Sequence, residues 1–274
     1  MSETVSTSEP GGLPGLDGRT AIVTGAGSGI GRATACDLAQ RGVTVVVVDL
    51  EGKTAHETVE QIAGAGGRAI AVQADVTARA DMARAVEVAL SETGQLNFAL
   101  NNAGRDGRME PLVDVTDRTW DRVVNVNLKG VWLGMINQIP AIIASGGGSI
   151  VNMASTAGLV GFRQMGVYAA SKHGVLGLTR TAALEYAQQG LRVNAVCPSA
   201  TATPMLSGLS PTLGPDAMAK ADAMSPMGRR AQPDEIANAV AWLFSSSSSF
   251  VNGVALPVDG GLTAQSSDYP PNPS

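Results

Sequence analysis

The chain has 274 residues, carries a net charge of −5 and is 44% hydrophobic, with 33 glycines. This length suits one α/β domain with a large apolar core, and the composition excludes a disordered chain. Because Lys and Arg form no basic run, the charge offers no surface for a phosphate backbone or an anionic membrane. We therefore expect neither nucleic acid nor a membrane as a partner.

Both ends of the sequence are polar and lack a periodic apolar pattern, which predicts flexible tails at residues 1–16 and 266–274 around one domain at residues 17–265. The first residues lack the basic and apolar parts of a secretion signal, and no apolar run approaches the roughly 18 residues of a membrane span. Cys36 and Cys197 lack the spacing of a zinc or redox motif. The default expectation is a cytoplasmic protein.

Short β-branched segments alternate along the chain with longer segments of helical period. The predicted strands are Thr20–Thr24, Val43–Asp49, Arg68–Val72, Leu96–Leu100, Ser149–Met153, Leu191–Val196 and Val254–Val258. The predicted helices are Ile30–Gln40, Thr54–Ala63, Ala78–Glu92, Arg118–Ile136, Val167–Gln189 and Asp234–Phe244. Nearly continuous apolar strands indicate burial on both faces. The pattern predicts a single Rossmann-like, doubly wound α/β domain, with a parallel sheet of about seven strands and helices on both faces.

The stretch 198–231 interrupts this alternation, since it mixes Pro, Gly and Ser with scattered Met and Leu and has no clean period. A loop of that length inside a compact domain is usually functional, so we predict a substrate lid there. Its apolar side chains, among them Met205 and Leu206, suit a hydrophobic substrate, and an ordinary packed flap is the alternative.

A glycine-rich turn, TGAGSGIG at residues 24–31, follows the first predicted strand and opens the first helix. Glycines there let the backbone approach a pyrophosphate, whose charge is bound by free N–H groups at the helix N-terminus. Ordinary turns and close helix packing also need glycine, but the place between a strand and a helix favours a dinucleotide site. The predicted cofactor contacts in the turn are Gly25, Ser28, Gly29, Ile30 and Gly31.

Asp49 ends the second predicted strand, 20 residues after Gly29. A carboxylate at that point accepts hydrogen bonds from the ribose hydroxyls of adenosine and repels a 2′-phosphate, which favours NAD over NADP. Leu50 follows it, adds no positive charge and is also predicted to contact the cofactor. The alternatives are that Asp49 only caps the strand end, or that Arg32 binds a 2′-phosphate.

Further motifs follow in order: Asp75-Val76 after the third predicted strand, NNAG at residues 101–104 after the fourth, and YAASK at residues 168–172. Together with the GxxxGxG spacing of the glycine turn, they resemble the short-chain dehydrogenase/reductase family over about residues 17–265. The resemblance implies that Asp75 and Val76 contact the adenine. It also implies that Asn102, Ala103 and Gly104 contact the cofactor, and that the protein is a homotetramer.

Tyr168 and Lys172 stand four residues apart, on one face of a predicted helix. A fixed ammonium, helped by the positive nicotinamide of NAD⁺, favours phenolate and so lowers a pKa that is ordinarily about 10. That change suits Tyr168 to proton transfer, and Lys172 is also expected to bond the nicotinamide ribose. Because such pairs are common on solvated helices, the interpretation depends on a third residue, Ser155.

Ser155 lies 13 residues before Tyr168, at the end of the fifth predicted strand, where ligands bind in open α/β sheets. Its hydroxyl is expected to bond the substrate oxygen. The resemblance implies that an asparagine, here Asn127, completes the catalytic set by holding its helix open around a proton-relaying water; a plain polar helix residue is the alternative. No metal is predicted, because the Ser155 and Tyr168 hydroxyls stabilise charge on the oxygen.

The segment PSATATP at residues 198–204 follows the sixth predicted strand. The family usually has Pro-Gly there, followed by a threonine near the nicotinamide carboxamide. The resemblance therefore implies that Pro198, Thr201 and Thr203 contact the cofactor, with Thr203 as that threonine. Ser199 departs from the usual glycine, which puts the local cofactor geometry in doubt.

Phe162, Gln164 and Met165 are predicted to line the substrate pocket, with Arg105 closing it from the NNAG side. These residues and the apolar lid favour a cyclic or aryl secondary alcohol, oxidised to its ketone with NAD⁺. One alternative is a 3-oxoacyl-[acyl-carrier-protein] reductase, which Asp49 and the absence of Lys and Arg from residues 138–149 oppose. Another is a non-catalytic NAD sensor, which would leave the catalytic set unexplained.

Overall fold

The computed structural model describes residues 13–213 and 216–264. Within these residues, seven parallel strands form one sheet in the order β3-β2-β1-β4-β5-β6-β7. The strands are β1 (Thr20–Thr24), β2 (Thr44–Asp49), β3 (Ala69–Gln73), β4 (Phe98–Asn101), β5 (Gly148–Met153), β6 (Leu191–Pro198) and β7 (Ala255–Val258). The helices are α1 (Gly29–Gln40), α2 (Gly52–Gly64), α3 (Arg79–Thr93), α4 (Asp117–Val124), α5 (Gly130–Ala144), α6 (Gly166–Tyr186), α7 (Pro204–Leu213), α8 (Ala217–Ala223) and α9 (Pro233–Phe244). The predicted doubly wound α/β fold is confirmed.

Helices cover both faces of the sheet, which explains the apolar strands. Val45–Val48 of β2 are fully buried, because side chains on both sides of a parallel strand meet a helix layer. Apolar residues of α1, α2 and α9 pack on one face, and those of α3, α5 and α6 pack on the other. Among the described helices, none combines the length and the apolar character that crossing a membrane requires.

The helix predicted at Arg118–Ile136 is more complex than its periodicity indicated. It comprises α4, a π-helical segment at Asn125–Lys129, and α5, which continues to Ala144. The prediction ended α5 too early, because Ile139, Ala141 and Ile142 extend its buried face past Ile136. A π segment adds a residue to one turn, and a hydrophobic pattern does not reveal it.

The stretch 198–231 contains two helices, so the prediction of a loop without regular structure was wrong. Ala217 and Ala221 form the buried side of α8, one turn apart. Contacts outside the helices stabilise this segment, whose sequence period is weak. Arg230 Nε lies 2.7 Å from Asp222 Oδ1, and Ser225 Oγ donates to Gly260 O at 3.1 Å. Residues 214–215, between the helices, lie outside the described residues.

The predicted N-terminal tail is wrong for its last four residues. Leu16 is 1% exposed and belongs to the core on the α1, α2 and α9 face. Ser246 N also donates to Pro14 O at 3.0 Å, which ties this segment to the chain after α9. The domain therefore begins by residue 13, while residues 1–12 and the predicted tail 266–274 lie outside the described residues.

Leu16→Ala tests this boundary. Removing a fully buried leucine side chain should lower the free energy of unfolding by about 2–4 kcal/mol. The measurement is chemical denaturation, with Val113→Ala as control because Val113 is 90% exposed. Equal stabilities of the two variants would contradict the burial of Leu16.

Candidate active site

The glycine turn between β1 and α1 leaves no room for side chains at key positions. Gly25 has φ +62°, and a Cβ on Gly31 would overlap the carbonyl oxygen of Gly25. Ser28 precedes α1 without capping it through its side chain, and no acidic residue lies in the first turn of α1. The first N–H groups of α1, which include those of Gly29, Ile30 and Gly31, therefore form a cradle suited to a phosphate group.

Asp49 lies beside this turn at the end of β2. Its Oδ2 accepts a hydrogen bond from Gly27 N at 2.8 Å, and its Oδ1 accepts one from Glu51 N at 3.1 Å. A Cβ on Gly27 would fall 2.7 Å from that Oδ2, so only glycine admits the carboxylate here. Leu50, 59% exposed, follows at the rim of the same site. The Asp49 carboxylate thus lies where a sugar next to the glycine turn would meet it.

Arg32, the alternative ligand for a 2′-phosphate, is already engaged by protein groups. Its guanidinium contacts Gly27 O, donates to Thr58 Oγ1 at 2.9 Å and lies 3.4 Å from Glu57 Oε2. The neighbouring Glu57 carboxylate disfavours a phosphate dianion at this place. The geometry thus opposes the Arg32 alternative.

The NNAG segment after β4 supports the glycine turn. Asn102 Nδ2 donates to Thr24 O at 2.9 Å and to Gly25 O at 3.2 Å, which commits its side chain to the turn. Ala103 is in close contact with Gly25, since a Cβ there would lie 2.9 Å from Ala103 Cα. Gly104 faces the catalytic side, because a Cβ on it would lie 3.6 Å from Lys172 Nζ.

Asp75 and Val76 follow β3, as predicted for an adenine-binding edge. Asp75 Oδ1 accepts a hydrogen bond from Thr77 N at 2.8 Å, and Asp75 N donates to Asp81 Oδ2 at 2.8 Å. Val76 packs against the start of α5, since a Cβ on Gly130 would lie 2.9 Å from Val76 Cγ2. These bonds fix the loop, and whether it contacts adenine stays a prediction.

The segment after β6 reaches the glycine turn through Thr203. A Cβ on Gly29 would lie 3.2 Å from Thr203 Cγ2, and Thr203 Oγ1 accepts from Leu206 N at 3.4 Å at the start of α7. Pro198 ends β6, and the buried Thr201 forms a β-bridge with Ala231. The lid therefore begins directly over the predicted cofactor site.

The four predicted catalytic residues come from three neighbouring parts of the fold. Tyr168 and Lys172 lie on α6, Ser155 follows β5, and Asn127 lies in the π segment. Lys172, 3% exposed, donates from Nζ to Met153 O at 2.8 Å, and its Nζ lies 5.6 Å from the centre of the Tyr168 ring. The Ser155 hydroxyl accepts from Ala157 N at 3.1 Å and lies close enough to Tyr168 to lower the pKa of its phenol.

Asn127 connects the loop after β4 with α6. Its Oδ1 accepts from Arg105 N at 2.8 Å, and its Nδ2 donates to Arg105 O at 2.9 Å and to Ser171 Oγ at 3.2 Å. The π segment is a local opening of the helix of the kind that the resemblance implied. Asn127 is fully buried and its amide is fully bonded, and whether it takes part in catalysis stays a prediction.

Burial dominates the electrostatics of the site. It lowers the pKa of Lys172 to about 8 and raises the pKa of Tyr168, partly offset by the hydrogen bond from Ser155. The expectation of a lowered tyrosine pKa is thus wrong for the protein alone, because the cost of burying a phenolate exceeds the help from its neighbours. The nicotinamide charge was part of that expectation and acts only with cofactor bound.

Asp106 is a site residue that the sequence analysis missed. Its negative charge further raises the pKa of Tyr168, and partial burial raises the pKa of Asp106 itself. It follows Arg105, whose backbone Asn127 holds at both N–H and C=O. Its place two residues after NNAG was the only available signal, and a single acidic residue in a loop does not reveal its distance from a helix elsewhere in the chain.

The predicted pocket residues lie on three segments: the loop after β4, the turn before α6 and the start of α7. Phe162, Gln164 and Met165 form a turn before α6, in which Met165 N donates to Phe162 O at 3.2 Å and Gln164 has φ +64°. Gln164 O accepts from Glu110 N at 3.1 Å, which joins this turn to the loop that carries Arg105. Met205, 41% exposed, and Leu206 lie in the first turn of α7.

Residues 25–263 match a family model described as "Enoyl-(Acyl carrier protein) reductase". The chain belongs to the short-chain dehydrogenase/reductase family. It is 44% identical over 250 residues to a cyclohexanol dehydrogenase of Acinetobacter sp. (strain SE19), covering 91% of this chain and 97% of that relative. It is 42% identical over 246 residues to a cis-4-hydroxycyclohexanecarboxylate dehydrogenase of Sinomonas cyclohexanicum, covering 90% and 97%.

A solved structure extends this likeness to three dimensions. The crystal structure of a carveol dehydrogenase from Mycobacterium avium in complex with NAD superposes with a TM-score of 0.85, at 32% identity, covering 91% of this chain and 99% of that one. The predicted family and the predicted class, an oxidoreductase acting on CH–OH groups, are confirmed. Among the described residues, no group of three or more His, Cys, Asp or Glu is placed to hold a metal ion.

Asp106→Asn tests the electrostatic role of Asp106. Removing a negative charge that raises the pKa of Tyr168 should lower that pKa, so alcohol oxidation, which needs the phenolate, should begin at lower pH. The measurement is the pH profile of kcat/KM, with Asp114→Asn as control because Asp114 is exposed on the same loop. An unchanged profile, or a shift to higher pH, would contradict this role.

Proposed function

We propose that the protein is an NAD(H)-dependent dehydrogenase that interconverts a hydrophobic cyclic secondary alcohol and its ketone. Two relatives that share more than 40% of their residues with this chain are named for oxidation of six-membered ring alcohols. The lid start places Met205 and Leu206 next to Thr203, beside the glycine turn, which suits an apolar ring. The observation that carries the proposal is the convergence of Ser155, Tyr168 and Lys172 at the carboxyl end of β5.

The chain's own residues supply binding and proton transfer. Ser155 is a close neighbour of Tyr168, which supports binding of one alcohol oxygen by both hydroxyls. Tyr168 then takes the alcohol proton at its phenolic oxygen, and Lys172, held by Met153 O, favours the anionic form. NAD⁺, when bound, accepts the hydride from the carbinol carbon. In the reverse direction Tyr168 donates its proton to the carbonyl oxygen.

The residues of the glycine turn fit a dinucleotide with a free ribose 2′-hydroxyl. The Gly25–Gly31 contact keeps the backbone close to the N-terminus of α1, where a pyrophosphate has room only in the absence of side chains. Asp49 supplies an acceptor for ribose hydroxyls, and Arg32 is engaged elsewhere. Both features support NAD over NADP.

Tyr168→Phe tests the chemistry. Loss of the proton-transferring hydroxyl should lower kcat for cyclohexanol oxidation by about 10²–10⁴-fold, while NADH binding persists. Tyr186→Phe is a matched control, because Tyr186 lies on the same helix and should retain activity. Full activity of Tyr168→Phe would exclude the mechanism.

The non-catalytic sensor is tested on the parental protein. It would be favoured if that protein bound NADH but converted none of the cyclic and aryl alcohols and ketones screened.

Cofactor choice is tested by comparing NAD⁺ and NADP⁺ with the same alcohol. We expect kcat/KM to be at least about tenfold higher with NAD⁺, since Asp49 repels the 2′-phosphate. Asp49→Ser should reduce the ratio of kcat/KM with NAD⁺ to kcat/KM with NADP⁺. It lowers kcat/KM with NAD⁺ and removes the repulsion of the 2′-phosphate of NADP⁺. A parental preference for NADP⁺ would show that the Asp49 interpretation is wrong.

We also propose that the protein is a cytoplasmic homotetramer, as its family resemblance implied. Leu184 on α6 is 84% exposed and Trp132 on α5 is 39% exposed, so both of these long helices carry apolar side chains at the surface of a single chain. Light scattering should give four times the 27.9 kDa of one chain. A monomer mass would reject the tetramer.

A further inference from the structure

A chain of four buried polar side chains crosses the centre of the molecule. Asn101 Nδ2 donates to Gln138 Oε1 and to Asn152 Oδ1, both at 3.0 Å, and Gln138 Nε2 donates back to Asn101 Oδ1 at 3.0 Å. Asn152 Nδ2 donates to Thr179 Oγ1 at 3.0 Å. These residues, 0–3% exposed, are called the amide chain below.

Each member of the amide chain lies on an element that carries part of the site. Gln138 is on α5, which continues the π segment of Asn127, and Asn101 ends β4, directly before Asn102. Asn152 is on β5, three residues before Ser155. Thr179 is on α6, seven residues after Lys172, which is two helical turns along the same face.

From this arrangement we infer that the amide chain positions α6 against β5, and so sets the distance between Ser155 and Tyr168. The inference rests on the proposed function for the roles of those two residues. Gln138 and Thr179 are positioning residues, since they act through the elements that they hold.

The ladder bonds of the sheet already fix β4 against β5, where Asn101 pairs with Asn152. Apolar packing alone leaves a helix free to shift along its axis, because such contacts have little directionality. Hydrogen bonds restrict both distance and angle, and the low dielectric of the core strengthens them. The two ends of the amide chain, on α5 and α6, therefore supply the positional constraint that the sheet lacks.

The cost of the arrangement supports a role beyond packing. Four polar side chains in the core require complete pairing, whereas apolar residues of similar shape would fill the same space without that requirement. The amide chain also requires α5 to pack closely on β4, because a Cβ on Gly134 of α5 would overlap Asn101 Oδ1. A helix pressed this tightly onto β4 has little freedom to move while the bonds persist.

Thr179→Val is the decisive variant. It keeps the shape of the side chain and removes the oxygen acceptor of Asn152 Nδ2, which then retains only the Met135 sulfur at 3.4 Å. The change should let α6 shift relative to β5. We expect its crystal structure to show a longer distance between the Ser155 and Tyr168 hydroxyl oxygens than in the parent. We expect kcat for cyclohexanol to fall about 10–100-fold, with KM for the alcohol and the Kd of NADH within about threefold of the parent. Thr179→Ser restores the hydroxyl that accepts from Asn152 Nδ2. It should therefore recover both the parental Ser155–Tyr168 distance and the parental kcat.

Thr34→Val is the matched control, because Thr34 is also a buried helical threonine but its hydroxyl bonds only Ile30 O of its own helix, at 2.8 Å. It should leave kcat unchanged. Gln138→Leu tests the other end of the chain and replaces Thr179→Val if that variant does not fold. Assays well below the melting temperature of each variant separate a misplaced helix from a partly unfolded protein.

An unchanged Ser155–Tyr168 distance and a kcat within twofold of the parent in Thr179→Val, or in Gln138→Leu if only that variant folds, would overturn the inference. So would a loss of kcat that Thr179→Ser does not recover. A parental protein inactive on cyclic alcohols would reject the proposed substrate instead, and the crystallographic distance would still test the positioning role.

Discussion

The burial of one ammonium beside one phenol is the constraint on which the rest of the site depends. Lys172 is almost completely enclosed, with the Met153 carbonyl as the hydrogen-bond acceptor of its Nζ, and this environment lowers its pKa to about 8. The same burial raises the pKa of Tyr168. A charged form of either group therefore costs free energy, and it persists only where the surrounding groups are held accurately in place.

The parallel sheet provides that accuracy. All strands end at the same edge, so β1, β2, β4 and β5 deliver the glycine turn, Asp49, the NNAG segment and Ser155 to one side of the domain. The loops then bond to one another rather than to solvent: Asn102 holds the glycine turn, and Asn127 holds both the backbone of Arg105 and the Ser171 hydroxyl on α6. The cofactor half and the catalytic half of the site are thus parts of one hydrogen-bonded unit.

Much of this could be predicted from the sequence because it depends on local patterns. Apolar strands alternating with helical periods predict a parallel sheet covered by helices, and the glycine turn, Ser155 and the Tyr168–Lys172 spacing have signatures within a few residues. Leu16 escaped prediction because a single apolar residue in a polar segment carries no period. The helices of the lid escaped because their own sequence pattern is weak and contacts with residues far along the chain, such as Ser225 with Gly260, help to fix this segment.

Other features could not be predicted because their causes are nonlocal. The helical pattern of the sequence continues on both sides of the π segment and does not reveal it. The segment is recognisable only in the structure, where Asn127 bonds Arg105. Gln164 has a left-handed backbone that sequence preference assigns to glycine or asparagine, and its carbonyl pairs with Glu110 across the pocket rim. The influence of Asp106 on Tyr168 depends on a distance between a loop and helix α6, which no spacing along the chain encodes.

The predicted site divides into buried groups and more exposed segments. Ser155, Tyr168 and Lys172 lie on or directly beside β5 and α6, which pack in the core, whereas the pocket residues lie on a turn before α6 and on the exposed start of α7. A change at Phe162 or Met205 would alter the predicted pocket without moving the Tyr168 hydroxyl. A change in the amide chain differs from a change in the pocket. It would move α6 or β5, and with them Tyr168 or Ser155.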